Sequence, residues 1–320
     1  MEWKPYYDAE LRQPGTREVI ADWVRAAGND DPLSAIIENR AVLSFPHTAV
    51  EYSGPIQARV VAGLYRANIN RVIALGVLHG SLVPAYRTAM DDSASREERE
   101  DAFTSVAGAF LPDQRRLDTP FGTVAVGTLT APLPDGIRSD ATGLLREEFS
   151  LDTFHAILQL AADLLEAEPL PVIPLYIGMT RHPTTGSFET AAKLADVLRE
   201  QWSDETAIVV TGDVVHYGAI YGLEDEGSVL ELLKPRYRKR LEHLFETAFV
   251  QQDLETAYRS SLYELKSDQR EILPVLVHML DGDAGADIRS FELSDYAPIF
   301  DTDPPCLVAS ALIAYKTQSA

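Results

Sequence analysis

Three histidines stand where apolar segments stop. His47 follows "AVLSFP", His79 follows "RVIALGVL" and His216 follows "TAIVVTGDVV". Neutral imidazole is the commonest metal ligand and suits iron, copper, zinc and nickel. It is also a general acid or base near neutral pH. A lone histidine at a strand end is more often a hydrogen-bonded structural residue. Three at equivalent places weaken that bland reading, because loops at strand ends carry function disproportionately. The other four histidines are weaker candidates. His155 and His243 sit in helical patterns, His182 in the loop "TRHPTTG", and His278 in the apolar helix "LPVLVHML".

The elements that must position these side chains alternate along the chain. "AVLSF" (41–45), "RVIALG" (71–76), "PVIPLYIG" (171–178) and "TAIVVTG" (206–212) read as buried strands. Between them, "PIQARVVAGLYRAN" (55–68) reads as a helix with Pro55 in its first turn, and "SFETAAKLADVLREQW" (187–202) carries a wide apolar stripe. "DIRSFELSDY" (287–296) and "CLVASALIAYK" (306–316) read as two late strands. Near-continuous apolar strands separated by helices predict an α/β fold: a largely parallel or mixed central sheet with helices on both faces. In such sheets ligands bind beyond the carboxyl ends of the strands, where the three histidines lie. No linker is evident, so one domain over 1–320 is expected, with helical insertions at about 86–118 and 221–263. The second insertion would serve as a lid or a dimer arm. Its basic run "KPRYRKR" (234–240) reads as a solvated helix face.

Composition limits the partners. The chain has 320 residues, with 28 Lys+Arg against 49 Asp+Glu, a net charge of −21. Such a surface repels phosphate backbones and anionic lipid, so neither nucleic acid nor a membrane is an expected partner. A single cysteine, Cys306, precludes an internal disulfide and a cysteine-based zinc cluster. The first residues lack a basic segment followed by an apolar core, and no apolar run approaches the roughly 18 residues of a membrane-crossing helix. The expected compartment is therefore the cytoplasm.

Several segments carry a family resemblance. "PHTAVEYSGP" looks like the PHxGYxYSG-type motif of the Memo family (the AmmeMemoRadiSam system protein B group), and "ALGVLHGS" resembles its "LGPSHH" segment. "DTPFG" (118–122) is similar to its "TPLG" turn, and "EEFSLDTFHAIL" (147–158) to its "EHSLExQLPFL" helix. "VIPLYIG" resembles its "IVPILVG" strand, and "VVTGDVVHYG" its "VSSDFSHYG" segment. These matches keep their order from about residue 41 to about 222, with a weaker tail over about 265–316.

The Memo family is similar in structure to the class III (LigB-type) extradiol dioxygenases, non-haem iron(II) enzymes with a 2-His-1-carboxylate metal site. The resemblance implies that His47 and His79 are metal ligands, with Asp213 and His216 lining the pocket and His216 as the acid or base. The family commonly carries a cysteine as third ligand, in a "CGRGPI" segment. Here "DQREILPVLV" (268–277) answers to it, which puts Asp268 on that position, with Glu271 and Cys306 as the alternatives. Asp268 also stands where an aspartate would cap the following helix. A carboxylate in place of a thiolate favours iron(II) and oxygen activation, with copper or zinc as other options. Phe149 replaces the family's "EHS" histidine and would shape a pocket for an apolar or aromatic substrate; Tyr52 and Tyr217 would offer hydroxyls. The expectation is thus an iron-dependent oxidoreductase acting on a small phenolic or catecholic molecule and dioxygen, with a homo-oligomer left open. The alternatives are a non-catalytic module that binds a peptide or metabolite, and a copper- or zinc-dependent redox or hydrolytic protein.

Overall fold

The computed structural model describes residues 3–27, 32–129, 132–223, 229–280 and 284–317. Its strands, in chain order, are β1 (Val42–Phe45), β2 (Arg71–Val77), β3 (Ala109–Leu111), β4 (Arg116–Thr119), β5 (Gly122–Ala125), β6 (Ile137–Ser139), β7 (Val172–Ile177), β8 (Thr206–Thr211), β9 (His216–Gly218), β10 (Ala284–Asp295) and β11 (Cys306–Thr317). The main sheet runs β10–β11–β1–β8–β2–β7–β3–β6, and β9 adds to β11. The four central strands β1, β8, β2 and β7 are parallel, so their carboxyl ends share one edge. β11 is antiparallel to both β1 and β10, and β3 is antiparallel to β7. The sheet is therefore mixed.

Apolar character on both sides of the strands follows from burial on both faces. Along β2, Ile73, Leu75 and Val77 enter one core, while Val72 and Ala74 enter the other. The first core takes Leu194, Leu241 and Leu276 from helices Glu189–Gln201, Leu230–Phe245 and Ile272–Leu280. The second takes Val24, Val60 and Leu158 from helices Thr16–Ala26, Val50–Arg66 and Asp152–Leu165. Among the described residues no helix is long and apolar enough to cross a membrane.

One expectation changes and another gains detail. The helix expected over 55–68 begins at Val50, so Pro55 lies inside it rather than in its first turn. Its start is fixed from a distance: the Glu10 carboxylate, from helix Trp3–Leu11, accepts the Val50 N–H at 3.0 Å from both oxygens. Gly54 lets this helix approach its neighbour, since a Cβ there would lie 2.4 Å from the Trp23 ring. The stretch 86–118 is only partly helical. Helices Pro84–Met90 and Arg96–Val106 lie in it, but Ala109–Leu111 joins the main sheet and Arg116–Thr119 forms a hairpin with β5. The stretch 221–263 carries helices Leu230–Phe245 and Leu254–Tyr263, and residues 224–228 lie outside the described residues. Leu233, Tyr237 and Leu241 of this stretch are buried in the first core. The basic run is a surface feature, with Lys234 paired to Glu292 and Arg238 to Glu242.

Candidate metal centre

The carboxyl ends of β1, β2 and β8 deliver His47, His79 and Asp213 to one place, and β9 brings His216. His47, His79 and Asp268 each offer a ligand atom, and these atoms lie within 4.8 Å of one another. Asp213, His216 and Asp268 form a second such group, which shares Asp268. His47 Nε2 is 3.4 Å from Asp268 Oδ2, and His216 Nε2 is 3.7 Å from the same oxygen. His47 is almost wholly buried, whereas the side chains of His79 and Asp268 each keep 15% of their surface exposed. Those two residues therefore form the more accessible side of the cluster.

Each candidate ligand is held by its surroundings. Past β2, the Glu148 carboxylate accepts the His79 backbone N–H at 2.8 Å and its Nδ1–H at 2.9 Å. It also accepts the N–H groups of Phe149 and Ser150. The Ser150 hydroxyl donates to the Val77 carbonyl and accepts the Val77 N–H, which staples this segment to the strand end. With Nδ1 committed as a donor, His79 turns Nε2 toward the cluster, the usual outer arrangement of a metal-ligating histidine. Past β1, Gln57 donates to the Pro46 carbonyl and Ser53 to that of Thr48, fixing the loop around His47. The His47 N–H donates to Asp213 Oδ1 at 3.3 Å.

Asp268 opens a short 3₁₀ turn (Asp268–Arg270), and Ser267 caps it by accepting the Gln269 N–H. The capping role open to Asp268 is thus filled by its neighbour, and the aspartate side chain faces the histidines. The Asp268 N–H donates to the Asp213 carbonyl. Gln269 anchors the turn from beneath: it donates to Ser44 and to the Gly212 carbonyl, and accepts from the Tyr315 hydroxyl. Gly212 has φ of +149°, and a Cβ there would sit 2.6 Å from Gln269 Cγ, so this position needs glycine. His216 Nδ1 donates to the Lys266 carbonyl at 2.8 Å, which leaves Nε2 facing Asp268.

The charges suit a cation. Burial pushes the Asp213 carboxyl above its usual range. Burial works the same way on Asp268, but His216 and His47 outweigh it and hold that carboxyl well below the usual range. Burial alone would lower the His79 pKa; the Glu148 carboxylate overrides it and holds His79 at about 9. Among the described residues Asp213 Oδ2, which lies 3.9 Å from His47 Nε2, is buried with no hydrogen-bond partner, a polar atom that a bound ion would help to compensate. Two imidazoles and a carboxylate with such an unpaired atom beside them fit a divalent metal.

The alternatives for the third ligand lie elsewhere. Glu271 is buried and accepts the hydroxyls of Tyr86 and Tyr258 and the Thr180 N–H. Cys306 is buried in β11 and shares a hydrogen bond with the Tyr221 hydroxyl; burial pushes its thiol up to about 11, so it stays protonated. Phe149 stacks on the His79 ring, with centroids 4.4 Å apart, and meets His47 edge-on. Tyr52 packs against Tyr296. Tyr217 does not reach the cluster. It neighbours His216 on β9 and so faces the other way, fully buried against Tyr237.

Three contributors are not in the sequence reading: Glu148, Gln269 and Tyr221. Glu148 lies in the "EEFS" segment, where two adjacent acids before an apolar helix were a usable signal. Tyr221 packs on His216 at 4.8 Å and closes an aromatic arc. The arc runs from Phe149 through Tyr7, Trp3 and Phe300 to Tyr221, each ring in contact with the next. No protein-family model matches the chain, and no curated protein matches it significantly.

Proposed function

We propose that the chain is a non-haem iron(II)-dependent oxidoreductase of the Memo and LigB type, acting on a small phenolic or catecholic molecule. The observation that carries this reading is the cluster of His47, His79 and Asp268 at the carboxyl edge of the sheet. Two histidines and one carboxylate suit iron(II) and dioxygen chemistry, which the ion supplies when bound. The protein's own groups then bind, orient and move protons. His216 holds or takes a proton at Nε2, because Nδ1 is tied to the Lys266 carbonyl. Asp213 fixes the His47 loop through its backbone N–H. Phe149 and the other aromatic rings exclude water and offer stacking faces to an aromatic ring.

The test is anaerobic reconstitution with iron(II), followed by metal quantification and oxygen uptake with a panel of phenols and catechols. The expected result is one iron per chain and uptake with at least one compound. His47→Ala and Asp268→Ala should lose the iron, and His216→Ala should keep it while turning over about 10²–10⁴-fold more slowly. Unchanged iron in both ligand variants would sink the centre, and silence across the panel would remove the dioxygenase reading.

A second reading follows from the other ligand group. A zinc or copper ion held by Asp213, His216 and Asp268 would activate water for hydrolysis. His79→Ala separates the two, since it removes the metal in the first reading and spares it in the second.

A further inference from the structure

A cavity of about 830 Å³ opens between helix Trp3–Leu11, the β4–β5 hairpin and the turn at Gly143–Arg146. That volume lies within the range of small-molecule sites. It shares no residue with the metal cluster. The buried part of its lining includes His155 and Tyr176. His155 is 2% exposed, among the described residues neither ring nitrogen has a hydrogen-bond partner, and Nε2 is fully buried. Burial holds its pKa down at about 3, so it meets a ligand as a neutral donor and acceptor. A buried polar ring without a partner costs stability, which a structure tolerates where a ligand can supply the partner.

Arg116 and Arg146 line the cavity as exposed residues, and among the described residues neither has an ion-pair partner. Most of the acids around them are occupied. Asp8 pairs with Arg12, and Asp140 accepts the N–H groups of Leu144 and Leu145. Asp113 accepts from Ser139, and Asp152 is beside Lys4. The cavity thus presents two unpaired guanidinium groups among five aspartates and Lys4. Guanidinium recognises carboxylate in a bidentate way, whereas the aspartates would repel a dianion such as phosphate. Leu11, Leu117 and Leu145 supply apolar wall between.

We propose that this cavity is a small-molecule site separate from the metal centre, and that it takes a hydroxylated organic monocarboxylate. The carboxylate meets Arg116 and Arg146, the apolar body lies along the leucines, and the hydroxyl meets His155 at Nδ1, the ring nitrogen that is not fully buried.

The probe is 4-hydroxycyclohexanecarboxylate, titrated into the full chain and followed by calorimetry and ligand-observed NMR. Saturable binding below about 10 mM is expected, and the Arg116→Ala/Arg146→Ala variant should weaken it at least about tenfold without shifting the unfolding midpoint or metal content. Cyclohexanecarboxylate, which lacks the hydroxyl, should bind more weakly to the wild-type chain, and His155→Phe should erase that preference. The ligand comparison stands even where His155→Phe fails to fold. Binding should persist in His47→Ala. No saturable binding, binding indifferent to both arginines, equal affinity for the two probes, or loss of binding in His47→Ala would each overturn the proposal.

Discussion

A metal ion bound at His79 would take the place of a proton that the His79–Glu148 pair holds. Without metal, the carboxylate holds His79 at about 9, so at neutral pH the ring carries a proton on each nitrogen. The buried pair stabilises the metal-free fold fully below about pH 6.5, and that contribution is lost as pH rises through about 9. An ion at Nε2 must displace one proton. Metal affinity should therefore rise about tenfold per pH unit between pH 6 and 9, measured by competition with a chromophoric chelator. Glu148→Gln should flatten this slope and weaken binding about 10–100-fold at the upper end. An unaltered slope would show that His79 is not a ligand. His47 and His79 were legible because each follows the end of an apolar strand; His216 instead opens the short β9, five residues past β8. Glu148 was not legible, because its role depends on a loop that folds back across Val77. Tyr217 packs into the core for a simple reason: beside His216 on a strand, it points to the opposite face.

At the scale of elements, Asp268, the candidate third ligand, is only as well placed as the turn that carries it. Gln269 ties that turn to β1 through Ser44, to the end of β8 through Gly212, and to β11 through Tyr315. Gln269→Leu should cost about 2–3 kcal/mol, since it strands buried polar partners, and should lower metal affinity more than distant substitutions of equal cost. Chemical denaturation paired with metal titration checks both. The strands, and the helix at 187–202, were readable from apolar period and length. The helix start at Val50 was not, because its cap is Glu10, 40 residues earlier, and no local pattern around Pro55 records that contact. The basic run at 234–240 was readable as surface because its partners, Glu242 and Glu292, are solvent-facing acids.

At the scale of the molecule, the cluster draws together the ends of β1 and β2 and the turn before helix Ile272–Leu280. An ion that binds only the folded chain should raise the unfolding midpoint by about 5 °C at a hundredfold excess over its dissociation constant. The gain should vanish with chelator and in Asp268→Ala, read by calorimetry. The mixed sheet was legible as a class, but its strand order was not, because β11 lies between β10 and β1 and pairs across most of the chain. That placement bears on how the protein is made. During synthesis β1 emerges early, yet one of its sides stays unpaired until β11 has left the ribosome, some 260 residues later. Over that interval the nascent chain carries an open apolar strand edge, the kind of surface that recruits chaperones and seeds aggregation.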